Sequence, residues 1–289
     1  MAKTPSQEAK TGWLLISPPA IYAVLLLAAP LATVLIYSVM TGGRGVVGLP
    51  FTLQNFTDLV QKPVYLSVMQ RSLLVSLLVT LTTVVLAYPI AYFVSFHVSP
   101  SKKALWLFLI TIPFWTSYVI RVSLWRTILG YNGIVDSSLI GLGLTDEPVN
   151  ILSNGITSMI ITLAHAYAPF AVLPIFVSLE KVDRSLLEAG QDLGESRLMT
   201  FIRVTLPLSM PGVIAAVLIV FIPTVGDYVT PELIGGGKVP LIANMIETQM
   251  LKLQNRPVGS AIAVAAMLVV GIVSVVFVLL NRRFIGGSK

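Results

Sequence analysis

The chain of 289 residues is 55% apolar and 11% charged, contains no Cys, and carries a formal net charge of +6. A soluble domain has about 25% charged residues, so too few are present to cover a water-facing globule, and a mean hydropathy of +0.87 agrees. The lack of Cys excludes disulfides, Cys-ligated metals and thiol nucleophiles, and the two His, His97 and His165, stand 68 positions apart. These limits define an all-α, multi-pass membrane protein, read as a single transmembrane domain over residues 1–289.

Six stretches are apolar and almost free of charge, roughly 13–40, 72–96, 104–120, 156–180, 210–226 and 258–280. A helix needs about 20 such residues to cross a hydrocarbon core of about 30 Å. The first has 28 residues, well beyond the roughly 7–15 of a signal peptide's apolar core, and is read as a retained helix. The third and fifth are short at 17 residues each, about 25 Å of helix. Both run on into mixed sequence, Arg121 to Leu129 and Asp227 to Gly235, so their outer ends are expected to stay helical or to re-enter. His165 lies in the fourth span beside Tyr167 and is read as a helix-packing hydrogen-bond partner. Pro30, Pro89, Pro113, Pro169, Pro174 and Pro223 sit in or beside the spans. Each removes a backbone donor, which suits helices that line or move around a polar path.

The basic residues set the orientation. Segments 1–12, 97–103, 181–209 and 281–289 hold 11 Lys or Arg in 57 residues, against 8 in 97 residues for 41–71, 121–155 and 227–257. The denser side is expected to be cytoplasmic, with both termini on it. The Lys102–Lys103 and Arg282–Arg283 pairs are its strongest markers. The outer loops, 31 to 35 residues long, suggest partner-binding surface.

Two glycine-rich runs fail their context tests. Gly43-Arg44-Gly45-Val46-Val47-Gly48 matches a dinucleotide fingerprint by letters but follows a membrane span rather than a strand. Gly235-Gly236-Gly237-Lys238 lacks the upstream Gly of a phosphate loop, where Glu232 stands, and Val239 replaces the hydroxyl residue. Asn55-Phe56-Thr57 is an acceptor sequon only by chance spacing.

Residues 181–209, between the fourth and fifth spans, are the most densely charged part of the chain. Leu186, Leu187, Ala189 and Leu193 supply an apolar stripe, and Glu188, Asp192 and Glu195 mark the polar side. The pattern predicts a short amphipathic helix over 186–196, with a turn after Gly194. A helix lying on headgroups favours Lys and Arg on its polar face; an acidic face points to a soluble protein partner.

The same run resembles the EAA loop of binding-protein-dependent ABC importer permeases: Glu-Ala-Ala, three residues, Gly, nine residues, Ile, one residue, Leu-Pro. Here Glu188-Ala189-Gly190 is followed by Gly194, Val204 and Leu206-Pro207, with every spacing kept. Gly190 for the second Ala and Val204 for Ile are small apolar departures. The segments Pro113 to Arg121 and Phe221 to Gly236 are similar to parts of spermidine/putrescine-type permease subunits, and the likeness extends from about residue 13 to 281.

This resemblance implies a type I ABC importer permease (MetI-like) fold in the bacterial plasma (inner) membrane. It implies a second homologous permease subunit, two cytoplasmic ATPase subunits and an extracytoplasmic solute-binding protein as partners, and no nucleic acid. The chain is then no enzyme and binds no cofactor; ATP and Mg belong to the ATPase. Glu188, Ala189, Gly190, Asp192, Gly194, Leu206 and Pro207 would form the coupling loop. The implied solute is a polyamine or related small cation, with opine or amino-acid-like solutes as the alternative. A secondary transporter would show an inverted repeat, and a membrane-embedded enzyme a Ser–Lys, Ser–His or paired-Asp constellation; the sequence shows neither.

Three residues are candidates for the solute path. Asp227 follows the Pro223–Gly226 break, where ionisable groups mark polar routes; capping the broken span or pairing with Lys238 is its alternative. Trp115 and Tyr118 offer aromatic faces to an ammonium group or form an interfacial belt. Arg121 is expected to pair with an acidic neighbour or with the partner permease.

Overall fold

The computed structural model describes residues 5–43, 45–149, 151–235 and 238–285. Arg44, Gly236 and Gly237, which belong to the two glycine-rich runs, lie outside them. In chain order the elements are α1 (Pro5–Ser38), β1 (Met40–Gly43), β2 (Val46–Phe51), α2 (Gln54–Gln61), α3 (Pro63–Phe96), α4 (Pro100–Thr111), α5 (Tyr118–Ile128), α6 (Ile134–Gly141), α7 (Gly155–Leu179), α8 (Arg184–Asp192) and α9 (Arg197–Thr200). They continue with α10 (Leu206–Val225), α11 (Val229–Leu233), α12 (Ile242–Glu247), α13 (Arg256–Leu280) and α14 (Arg282–Ile285). Two π-helical turns, Phe201–Thr205 and Thr248–Lys252, precede α10 and follow α12.

Among the described residues, five helical stretches are long and apolar enough to span a bilayer, and the bent pair Pro100–Trp115 with Tyr118–Ile128 makes a sixth if its halves cross as one. Five of the expected spans coincide with these helices, and the third corresponds to the bent pair rather than to a continuous helix. Its halves meet at 87°. Pro113 has no N–H to continue the α ladder. The chain tightens into a 3₁₀ turn over Ile112–Trp115, and Thr116 then adopts an extended conformation. The second span starts at Pro63 instead of residue 72, because Pro suits the first turn of a helix and polar residues there do not break helical geometry.

The contacts divide into two units. One comprises the chain up to Lys62 with Ile246–Ala265. Within it, β1 and β2 form an antiparallel hairpin pairing Thr41 with Gly48 and Gly43 with Val46, an element the apolar pattern did not foretell. Asn55, the sequon residue, donates its side-chain amide to the carbonyls of Ser38 and Met40, both at 2.9 Å.

The second unit, Pro63–Met245 with Ala266–Lys289, is built on α3, α7 and α10. Its centre contains Val75, Val79, Ala87, Ala91, Met159, Leu163, Val172, Ile175, Ala216 and Val220. A side chain on Gly212 would collide with the carbonyl of Pro174 and the side chain of Ser178, so α10 approaches α7 backbone to backbone, as small residues permit between membrane helices. Two hydroxyls in this apolar interior bond their own backbone: Thr80 and Thr83 donate to the carbonyls of Ser76 and Val79 at 2.7 and 2.6 Å. Tyr88 and Ser209 join α3 to α10 at 2.8 Å.

Candidate functional site

The charged loop folds differently from its expected outline. Its helix, α8, runs from Arg184 to Asp192 rather than 186–196. Asp183 sets the start, because its Oδ1 accepts the Ser185 N–H at 2.9 Å, the usual role of an N-cap Asp. That same backbone N–H holds the Asp183 carboxyl below its ordinary range. Gly194 sets the end with φ at +86°. The Gly194 N–H bonds the Gln191 carbonyl at 2.9 Å and the Glu195 N–H reaches back to Gly190 at 3.1 Å. That pair of bonds is a Schellman closure, which requires a left-handed residue just past the helix. After α9, Leu206 N–H bonds Phe201 O across a π turn. The wide turn leads into Pro207, which cannot donate to an α ladder.

No residue of α8 is buried. Leu186 is 47% exposed and Leu193 86%, so the apolar stripe is uncovered except at half-buried Leu187, and Ala189, Glu188 and Asp192 are exposed with it. Glu195 belongs elsewhere: it pairs with Arg203 at 2.7 Å. The free acidic face is therefore Glu188 and Asp192. Gly190 faces Thr200, whose side chain would sit 3.2–3.3 Å from an added Cβ; the departure from Ala fits this tight contact.

Beside the break in the third span the structure brings two of the three path candidates together. The Tyr118 hydroxyl lies 2.8 Å from Asp227 Oδ2, to which it donates, and 2.8 Å from Thr230 Oγ1. Asp227 Oδ1 accepts the Val229 and Thr230 N–H groups at 3.0 and 3.3 Å. It thereby caps α11, and it is buried. Among the described residues no ion pair joins it to Lys238. Asn244 closes the same region, accepting from Leu241 N–H at 3.1 Å and donating to Tyr228 O at 2.8 Å. Trp115, on the far side of the helix break, is 79% exposed and has no part in these bonds.

Arg121 is buried in the first turn of α5. Its guanidinium donates to the Ala166 carbonyl at 3.4 Å and lies 5.9 and 5.8 Å from the Phe114 and Tyr118 rings, and no acidic partner for it is present among the described residues. His165 accepts from Trp125 Nε1 at 3.1 Å, the helix-packing role expected of it. Sequence reasoning missed Thr230 and Asn244. The spacing Asp227-Tyr-Val-Thr230 before a helix was a readable capping signal; the Tyr118 bond to Asp227, 109 positions apart, had none.

Apolar helices with one broken span, a polar cluster at the break and an uncovered amphipathic helix in the charged loop define a membrane transport subunit. Residues 63–286 match the family described as binding-protein-dependent transport system inner membrane component, and the chain belongs to it. It is a multi-pass protein of the bacterial inner membrane and a non-enzymatic transport component. It is 36% identical over 267 residues to the spermidine/putrescine transport system permease protein PotB of Haemophilus influenzae, covering 91% of this chain and 92% of that one. Identity to the Escherichia coli PotB is 37% over 234 residues, 80% and 83% of the two chains. Among solved structures, a bacterial ABC transporter involved in import of the acidic polysaccharide alginate superposes with a TM-score of 0.73 at 19% identity, covering 98% of this chain and 99% of that one. The chain has the type I importer permease (MetI-like) fold.

Proposed function

We propose that the chain is one of two permease subunits of an ABC importer for polyamines or a closely related small organic cation. The observation that carries the permease role is α8: a capped helix, uncovered on its apolar and acidic sides, in a loop with EAA spacing. In this reading the loop is cytoplasmic, with both chain termini, and α8 seats in a cleft of a separate ATPase that binds ATP and Mg. Glu188, Ala189, Gly190 and Asp192 form the contact, Gly194 turns the chain out of it, and Leu206-Pro207 passes the motion into α10. A second permease subunit completes the path, and an extracytoplasmic protein delivers the solute.

The solute class rests on the polyamine permeases among the relatives and on the buried carboxylate of Asp227 at the broken span. Both of its oxygens are already bonded, so it acts on a passing ammonium through its field. Tyr118 is the face of that charge towards the path, and Trp115 an aromatic surface at its edge. The importer reconstituted in vesicles with labelled spermidine tests both parts. Glu188→Lys is expected to insert normally and abolish solute-stimulated ATP hydrolysis; normal coupling in that variant overturns the docking role. Asp227→Asn is expected to lower uptake while assembly and hydrolysis persist, and unchanged uptake kinetics overturn its place on the route.

A further inference from the structure

We propose that Glu180 is a positioning residue that locks the N-terminal end of α8 to α3, α4 and α7, so that displacement of α8 enters all three helices together. The proposal rests on the reading of α8 as the ATPase contact.

Glu180 is the C-cap residue of α7. Its Oε1 accepts from Ser95 Oγ and from Lys103 Nζ, both at 2.6 Å. Ser95 lies in the last turn of α3 and is 1% exposed; Lys103 lies in the first turns of α4 with its side chain 13% exposed. The carbonyl of Ser95 in turn accepts from Arg184, the first residue of α8, at 3.3 Å. One carboxylate thus gathers the ends of three helices, and the serine beneath it holds the fourth.

Local helix preference does not account for this pair. A carboxylate at a helix C-terminus and an ammonium near a helix N-terminus are both disfavoured by the helix dipole. Glu180 and Lys103 each occupy the wrong end of a helix, and each offsets the other. The connection to α8 is three residues long, with Val182 buried and its N–H bonded to the Leu179 carbonyl at 3.1 Å. The other end of α8 is held by the Gly190 contact with Thr200, the Gly194 turn and the Glu195–Arg203 pair, whose Arg side chain is 63% exposed. The end at Glu180 is tied to α3, α4 and α7 through these polar bonds.

The test uses the assembled importer in vesicles and measures solute moved per ATP hydrolysed. The chain has no Cys, so Leu186→Cys provides a single cross-linking site for the ATPase. Glu180→Ala is expected to keep co-purification and Leu186→Cys cross-linking while losing about tenfold in solute per ATP, a typical coupling free energy. Glu180→Gln, which keeps an acceptor for Ser95 but loses the charge, falls between. A wild-type ratio in Glu180→Ala overturns the proposal, as does a Glu180→Gln variant that falls below Glu180→Ala. Failure of Leu186→Cys to cross-link in the otherwise unaltered chain overturns the docking reading itself, and the coupling role of Glu180 with it.

Discussion

Replacing Gly194 by Ala isolates the backbone term of the loop. The residue has φ at +86°, and an added Cβ meets nothing within 4 Å. Steric collision with neighbours is therefore absent, and the whole penalty comes from placing an L-residue in the left-handed region, about 1–2 kcal/mol. That shifts the equilibrium between closed and open turn by about 5- to 30-fold. The two bonds of the closure, Gly194 to Gln191 and Glu195 to Gly190, weaken together because both depend on that one dihedral. Asn tolerates the left-handed region better than Ala, although it is larger. The expected order of solute-stimulated ATP hydrolysis in the assembled importer is therefore Gly, then Asn, then Ala, with expression and assembly alike. Measuring hydrolysis with saturating solute for the three chains decides it. An Ala variant equal to wild type, or an Asn variant worse than Ala, refutes the reasoning, since the second result requires a spatial constraint that the structure lacks.

Two further outcomes follow from the hydrogen bonds. Tyr118→Phe removes the donor to Asp227 Oδ2 and leaves a buried carboxylate oxygen short of a partner, at a cost of about 1–3 kcal/mol; a thermal shift of the purified subunit is expected to show the loss, and an unchanged melting temperature contradicts the bond. For Glu180, burial raises the carboxyl, but the hydrogen bonds from Lys103 and Ser95, with the charges of Lys103 and Arg184, outweigh it and hold the group below its ordinary 4.5. A lowered folded-state value gives a stabilisation that is complete above the unfolded value and lost as pH falls through the folded one. The melting-temperature gap between wild type and Glu180→Gln is therefore constant at neutral pH and closes as pH drops below 4.5; a gap that widens on acidification refutes the sign.

Much of this architecture was legible from hydropathy and punctuation. The spans beginning near residues 156 and 258 start within two residues of α7 and α13, because apolar length alone decides what crosses a bilayer. The limits of α8 were also legible, from Asp183 as N-cap and Gly194 as the residue past the C-cap. The expected helix overran because Leu193 fits the apolar stripe, yet the turn takes precedence and exposes it. The 87° break within the third span was signalled by Pro113, but its angle was not, since that depends on how Thr116 and Ser117 settle against their surroundings. The two hydroxyl–carboxylate contacts, Tyr118 with Asp227 and Ser95 with Glu180, join residues 109 and 85 positions apart. No local pattern encodes such pairings.

The packing of α3 shows why hydropathy stops short of tertiary structure in this chain, and what replaces it. Leu74, Leu77, Leu81 and Leu86 are 55–59% exposed. The buried face consists of Val68, Ser72, Val75, Ser76, Val79, Thr80, Thr83, Ala87, Ala91, Val94 and Ser95. The outward side is thus the more apolar one, the reverse of a soluble helix. Lipid is as apolar as Leu and gives no reason to hide it, whereas close approach of helices rewards small residues and hydroxyls that bond their own backbone. The informative pattern is therefore the recurrence of small and hydroxyl residues every three or four positions, which runs unbroken from Ser72 to Ser95. Its two ends are where α3 is fastened. Ser72 Oγ accepts the Ile242 N–H at 2.7 Å, beside the loop that Asn244 closes, and Ser95 donates to Glu180 and accepts from Arg184. A stripe chosen for close packing along the helix thus also supplies the polar atoms that bind its ends to the polar cluster on one side and the charged loop on the other.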